Sequence, residues 1–222
     1  MITPPNPLQN NVYKGHILDE CLALGYYRMG HAIFTTNYIQ TPGSTNVLAV
    51  YWLRTKIKNI TESRHALKIR KKTSSLKVAY KRATITKEIE DLYSHYYSKL
   101  DFETAQTCNL CLHDNVSQNP FDSWMIEIRD NSVLIAVGYF DLGKTAIAGI
   151  LNFYDPDYSK YSLGKYLMLK KIDYAVLNKL DYYYTGYLCP QNPKFNYKLF
   201  PDIASIEYYD SHNQVWLPYP LS

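Results

Sequence analysis

The sequence predicts an α+β protein: a mixed sheet flanked by helices, with a smaller N-terminal lobe. Three observations carry this. First, the second half reads β-β-β-α-β in its hydrophobic periodicity. Second, the chain has 222 residues, 46% hydrophobic and 20% charged, a globular balance for one large domain or two small lobes. Third, charge is segregated. Eleven Lys or Arg and one acid, Glu62, lie between Arg54 and Arg82, a local charge of +10 in a chain of +4, so all other residues together carry −6. The expected division is residues 1–85 as the basic N-terminal lobe and residues 86–222 as the second domain.

Taken in order, residues 1–15 are Pro/Asn-rich and read as an extended lead-in. Ile17, Leu18, Cys21 and Leu22 fall at helical spacing, with Gly25 as a stop. Tyr26–Tyr38 reads as a strand, followed by a turn at Thr41-Pro42-Gly43-Ser44, and Val47–Leu53 is rich in β-formers. Ser63–Lys72 reads as a short basic helix or turn. Ile89, Leu92, Tyr93, Tyr96, Tyr97 and Leu100 make an apolar helical stripe, with Thr86 as N-cap and Glu88 and Glu90 in the first turn. Residues 101–123 read as loop or short helical pieces. Trp124–Ile128, Ser132–Phe140 and Ala146–Tyr154 are expected strands, with turns at Asp130-Asn131 and Asp141-Leu142-Gly143-Lys144. Ser162 caps a long expected helix whose apolar positions are Leu163, Tyr166, Leu169, Ile172, Val176 and Leu180, while Lys165, Lys170, Lys171 and Lys179 stay on its polar side. Strands Tyr182–Leu188 and Ile206–Tyr209 complete the pattern.

Several function classes lose their usual signal. No apolar run approaches the roughly 20 residues of a membrane helix. The N-terminus, Met1-Ile2-Thr3-Pro4-Pro5, has neither a basic cap nor an apolar signal core, and four cysteines are too few for a disulfide scaffold, so a cytoplasmic setting is expected. Cys108 and Cys111 have CxxC spacing, with His113 beyond, but no second pair exists, and no metal is expected. Walker, GxSxG and HExxH patterns are missing, as is the glycine-rich loop that holds the pyrophosphate of acyl-CoA.

The residues that remain point to one edge. A right-handed strand–helix–strand crossover sets Tyr182–Leu188 parallel to Ala146–Tyr154, and chemistry in such units gathers where the C-terminal strand ends part. That edge carries Tyr154, Asp155, Gly186, Tyr187 and the helix start at Ser162-Leu163-Gly164. Asp155, held extended before Pro156, can orient or deprotonate an amine; the plainer reading is an Asp-Pro turn. The N–H groups at Ser162 to Gly164 can receive an anion, or simply open a helix. Lys194, Tyr197 and Lys198 place two cations beside a phenol, suited to an anionic ligand or to a solvated loop. The basic stretch, with Arg54, Arg64, Lys68, Arg70, Lys71 and Lys72, suits a polyanion such as nucleic acid, or a solvated face. Tyrosine occurs 23 times, a residue suited to half-buried clefts because its ring packs while its hydroxyl bonds.

Four linked motifs then carry a resemblance. Phe153-Tyr154-Asp155-Pro156-Asp157-Tyr158, Ser162-Leu163-Gly164, Tyr184-Thr185-Gly186-Tyr187 and Pro193-Lys194-Phe195-Asn196-Tyr197-Lys198 resemble, in order and spacing, the C-terminal half of the aminoacyl-tRNA–protein transferases, the arginyl and bacterial leucyl transferases of the N-degron pathway. Gly25-Tyr26-Tyr27-Arg28-Met29-Gly30 is similar to the family's G-x-R-R-x-G, with Tyr27 replacing the first arginine. Leu53-Arg54, Ser63-Arg64 and the lysines that follow are similar to its basic run. The family's cysteine cluster is missing between Gly30 and Val47, and Asn192 and Phe195 replace a cysteine and a methionine.

The resemblance implies a GNAT-like second domain and transfer of leucine or arginine from charged tRNA to the α-amine of a protein whose first residue is acidic. The partners are then aminoacyl-tRNA and an acceptor N-terminus, with no cofactor and no membrane. Asp155, Tyr154 and Tyr187 are the implied catalytic set. Arg28, Tyr158, Ser162, Gly164, Gly186, Lys194, Tyr197 and Lys198 would hold substrate, with Arg28 and Lys194 pairing the acceptor carboxylate. Arg54, Arg64, Lys68, Arg70, Lys71 and Lys72 would meet tRNA phosphate. The chain's small size and missing cysteines lean towards leucine. The alternatives are a tRNA-binding homologue without catalysis and an acyl-CoA N-acetyltransferase.

Overall fold

A computed structural model describes residues 12–40, 45–101, 104–112 and 119–220. Helix α1 (His16–Ala23) buries Leu18, Cys21 and Leu22, as their spacing predicts. It is followed by Gly25 at φ +77°, where the Tyr209 ring leaves no room for a Cβ. The single strand expected over Tyr26–Tyr38 is instead a hairpin, β1 (Tyr27–Met29) and β2 (Ala32–Phe34), turning beside Gly30 at φ +61°. Next come β3 (Tyr38–Gln40) and β4 (Val47–Ala49), a separate two-stranded ribbon. The expected turn at 41–44 falls outside the described residues.

The chain continues as β5 (Tyr51–Lys56), α2 (Arg64–Lys72) and β6 (Lys77–Arg82). Ser63 caps α2 by accepting from the Ala66 amide at 3.2 Å. Strand β6 was not expected, since its exposed Lys77, Lys81 and Arg82 mask the strand pattern. Thr86 caps α3 (Lys87–Tyr97), accepting from the Ile89 amide at 3.3 Å. A short α4 (Cys108–Leu112) precedes β7 (Ser123–Asp130), β8 (Val133–Leu142) and β9 (Ala146–Tyr154). Then follow α5 (Leu163–Leu177), β10 (Tyr182–Leu188), β11 (Ile206–Asp210) and β12 (Val215–Pro218).

Eight strands form one mixed sheet in the order β12-β11-β5-β10-β9-β8-β7-β6. Among the described strands of this sheet, β9 and β10 are the one parallel pair, which is the crossover read from the sequence. The sheet draws β5 and β6 from residues 1–85 and its other six strands from residues 86–222. Helices α5 and α2 cover one face around Ile126, Ile135, Phe140, Ile147 and Tyr183. On the other face α1 packs around Trp52 and Tyr184, and α3 around Met125, Val137 and Phe153.

Three positions differ from expectation. Ser162 precedes α5 but adopts the left-handed conformation at φ 53°, and its hydroxyl makes no cap bond. Lys171, expected on the polar side, is 1% exposed and donates to Asn152 Oδ1 at 2.8 Å, whereas Val176, expected in the core, is exposed. Asp141, expected in a turn, is a fully buried member of β8, because the hairpin register carries β8 on to Leu142 opposite β9.

Candidate active site at the parted ends of β9 and β10

The parallel pair is short. Tyr182, Tyr183 and Tyr184 lie opposite Ala146, Ile147 and Ala148, and the pairing stops there. Beyond it β9 runs on to Tyr154 against β8, while β10 stays with β5 and bulges between Tyr184 and Gly186. Gly186 sits at φ +90°, a conformation that favours glycine, and its N–H donates to Tyr27 Oη at 2.8 Å. The two strand ends therefore part, and α5 starts beside them.

On the β9 side, Asp155 Oδ1 accepts from the Asp157 amide at 2.9 Å, the plain Asp-Pro turn bond. The same oxygen lies 3.4 Å from His95 Nε2 on α3, and Asp157 lies 3.6 Å from that nitrogen. These three side chains each bring one ligand atom within 4.8 Å of the others. Tyr154 stacks obliquely on Tyr96 at 5.4 Å, and its ring is what a Cβ on Gly164 would meet at 3.2 Å, so Gly164 admits the ring against the start of α5. Tyr158 stacks on Tyr161 at 6.0 Å.

On the β10 side, the turn 193–199 folds back over the strand. Lys198 Nζ donates to the Tyr187 carbonyl at 2.8 Å, and would lie 3.0 Å from a Cβ on Gly186. Its ammonium faces the rings of Tyr187, Phe195 and Tyr197 at 5.0, 5.3 and 5.9 Å. Burial lowers this amine to about 7. Tyr96 joins the two sides: burial raises its phenol to about 12, with the neighbouring Tyr154 and Tyr197 adding to the rise. Asp155, Tyr154, Gly164, Gly186, Tyr187, Tyr197 and Lys198 thus gather at one edge.

Other expected site residues lie elsewhere. Arg28 is buried on the α1 face. Its guanidinium donates to Asp141 and Ser123 at 2.9 Å, to the Gly30 carbonyl at 2.8 Å and to the Leu112 carbonyl at 2.5 Å. Asp141 lies opposite Ala148, six residues before Tyr154, or roughly 20 Å along the strand. Arg28 therefore braces the core and is not free to hold an acceptor carboxylate. Lys194 is exposed and pairs with Asp101 at 2.7 Å.

The basic stretch divides. Arg54 turns inward, bonded to Glu207 at 2.7 Å and lying over Tyr182 and Trp216 at 4.0 and 4.4 Å. Arg70 pairs with Asp173 at 2.7 Å and with Glu62. Both charges are neutralised inside the protein. Arg64, Lys68, Lys71 and Lys72 remain exposed on α2. That helix packs on α5 through Ala66 and Ile69, and its His65 meets Phe200 at 5.7 Å, just past the turn that carries Lys198. Burial, then the charges of Lys165, Lys68 and Lys72, lower the His65 imidazole, so a cationic face flanks the site.

Sequence reasoning gave no site role to His95, Tyr96 or Tyr27. Nothing in the local pattern distinguishes His95 from a solvated helix residue; Tyr27 was visible only as a replaced arginine. The CxxC pair lies in α4, where Cys111 Sγ contacts Tyr93 Oη at 3.2 Å, and His113 falls outside the described residues. Among the described residues no helix is long and apolar enough to cross a membrane.

Comparison with known proteins gives four findings. Residues 88–200 match the family described as "Arginine-tRNA-protein transferase, C terminus". The aspartate/glutamate leucyltransferase of Leptospira interrogans is 25% identical over 198 residues, spanning 87% of this chain and 75% of its own. That of Pseudomonas entomophila is 27% identical over 209 residues, spanning 89% and 80%. Among solved structures, the C-terminal domain of a putative lysylphosphatidylglycerol synthetase from Agrobacterium fabrum aligns at a TM-score of 0.49 with 8% identity, over 64% of this chain and 48% of that one.

Proposed function

This chain belongs to the arginine-tRNA-protein transferase family, and from that premise we propose that it moves leucine from charged tRNA to the α-amine of an acceptor whose first residue is Asp or Glu. Leucine is chosen over arginine because the relatives that span most of the chain are named for leucine. The observation that carries the reading is the parting of β9 and β10, which gathers Asp155, Tyr154, Gly186, Tyr187 and Lys198 beside the start of α5.

The reaction is aminolysis of an ester that is already activated, so positioning supplies much of the acceleration. The α-amine attacks the ester carbonyl; an α-amine with a pKa near 8 is already partly neutral at pH 7. Asp155 stands at the strand end, beside the position where the amine attacks. Backbone N–H groups at the start of α5 face the developing oxyanion. Tyr154, Tyr158 and Tyr187 wall the aminoacyl side chain. The cationic face of α2, with Arg64, Lys68, Lys71 and Lys72, meets tRNA phosphate, so affinity falls steeply with salt.

The test is transfer of labelled amino acid to peptides beginning with Asp, Glu or Ala. Label from leucyl-tRNA on the acidic peptides supports the proposal. Label from arginyl-tRNA alone overturns the choice of leucine. tRNA retention without transfer from any charged tRNA, or label from acetyl-CoA instead, overturns the transferase reading.

A further inference from the structure

We infer that His95 takes the proton from the attacking amine, with Asp155 as the group that orients its ring; this rests on the transferase reading above. His95 comes from α3, outside every motif that carried the resemblance. Its Nε2 lies 3.4 Å from Asp155 Oδ1 and 3.6 Å from Asp157 Oδ2, so both carboxylates face the same ring nitrogen. These are ion-pair contacts rather than hydrogen bonds, and among the described residues none hydrogen-bonds the other nitrogen, Nδ1. The ring is 41% exposed, which leaves it reachable by a second substrate. The next residue, Tyr96, lies against Tyr154 at 5.4 Å, which seats α3 on the parted strand ends.

A carboxylate on one nitrogen and an open second nitrogen make the arrangement of a general base with its orienting group. Asp155 also accepts from the Asp157 amide at 2.9 Å, which fixes its own position. In the step, the amine nitrogen bonds to the ester carbonyl carbon and its proton passes to His95 Nδ1. The tetrahedral centre then collapses, the carbon–oxygen bond to the ribose breaks, and the same proton passes to the departing ribose oxygen. The products are an amide and uncharged tRNA, with no net proton gained or lost.

The test uses the full chain, leucyl-tRNA and an Asp-initiated peptide under single turnover. His95→Gln is expected to slow transfer by about 10²-fold or more while KM for tRNA and peptide stays within about threefold. His95→Ala is expected to regain rate with added imidazole. Asp155→Asn in the His95→Gln background is expected to add little further loss, because one acts through the other. Melting curves like wild type confirm folding. A wild-type rate in His95→Gln, or loss confined to KM, overturns the inference and leaves the transferase reading intact. Abolition of wild-type transfer by a chelator, restored by a divalent cation, overturns it in favour of a metal held by His95, Asp155 and Asp157. No transfer by the wild type from any charged tRNA overturns both.

Discussion

At the scale of single residues, two positions show how burial changes chemistry. Lys171 is enclosed with Asn152 as its bonded partner, and burial lowers its amine to about 7 although the Asp141 charge opposes the shift. The unfolded chain keeps a lysine near its ordinary 10.4. Between pH 7 and about 10 the unfolded state therefore binds more protons, so stability rises with pH across that window, and below pH 7 the cost of burying the charge is complete. Replacing Lys171 by Met is expected to flatten this rise, as read from urea midpoints at pH 7 and 9.5. Lys198, lowered likewise by burial, adds a slope of the same sign. Gly186 is the second position: at φ +90° any side chain is strained, and a Cβ would crowd the Lys198 ammonium at 3.0 Å. Gly186→Ala is expected to cost about 1–2 kcal/mol in urea unfolding and to displace Lys198, lowering the transfer rate beyond what the stability loss explains.

At the scale of elements, α2 and β5 share one basic stretch and put it to different uses. The helix presents Arg64, Lys68, Lys71 and Lys72 outward, while the strand buries Arg54 against Glu207, Tyr182 and Trp216. Changing Lys68, Lys71 and Lys72 together to Glu is expected to weaken tRNA binding. It should also flatten the plot of log affinity against log salt by about 0.7–0.9 for each phosphate that is no longer neutralised, with Tm nearly unchanged. Arg54→Met is expected to do the reverse. It leaves Glu207 with Lys56 as its remaining ion-pair partner and costs about 3 kcal/mol of stability, while the salt slope stays the same. The sequence could not separate these cases, since both arginines sit in the same run of charge. Which one faces inward follows from the pairing of β5 with β10 and β11.

At the scale of the whole molecule, β5 threads between β10 and β11, and β6 closes the far edge of the same sheet. A fragment of residues 86–222 lacks both strands, leaving β11–β12 without the strand that joins it to β10. It is expected to show no cooperative melting transition by calorimetry, whereas the full chain melts in one step. What the sequence determined was local or chirally constrained. The three-strand meander, α5 and a parallel β10 follow from periodicity and the handedness of the crossover, and so does the placing of Tyr154-Asp155 and Gly186-Tyr187 at one edge. What only tertiary structure decided was contact between segments far apart in the chain. His95 reaches Asp155 because α3 seats its apolar stripe on Phe153 and Val137; Tyr27 reaches Gly186 because the first hairpin folds under the bulge; and Arg28 meets Asp141 instead of a substrate. Residue type and spacing specify which face of an element is apolar. They do not specify which distant polar group that face will bring alongside, because that depends on how all the layers close at once.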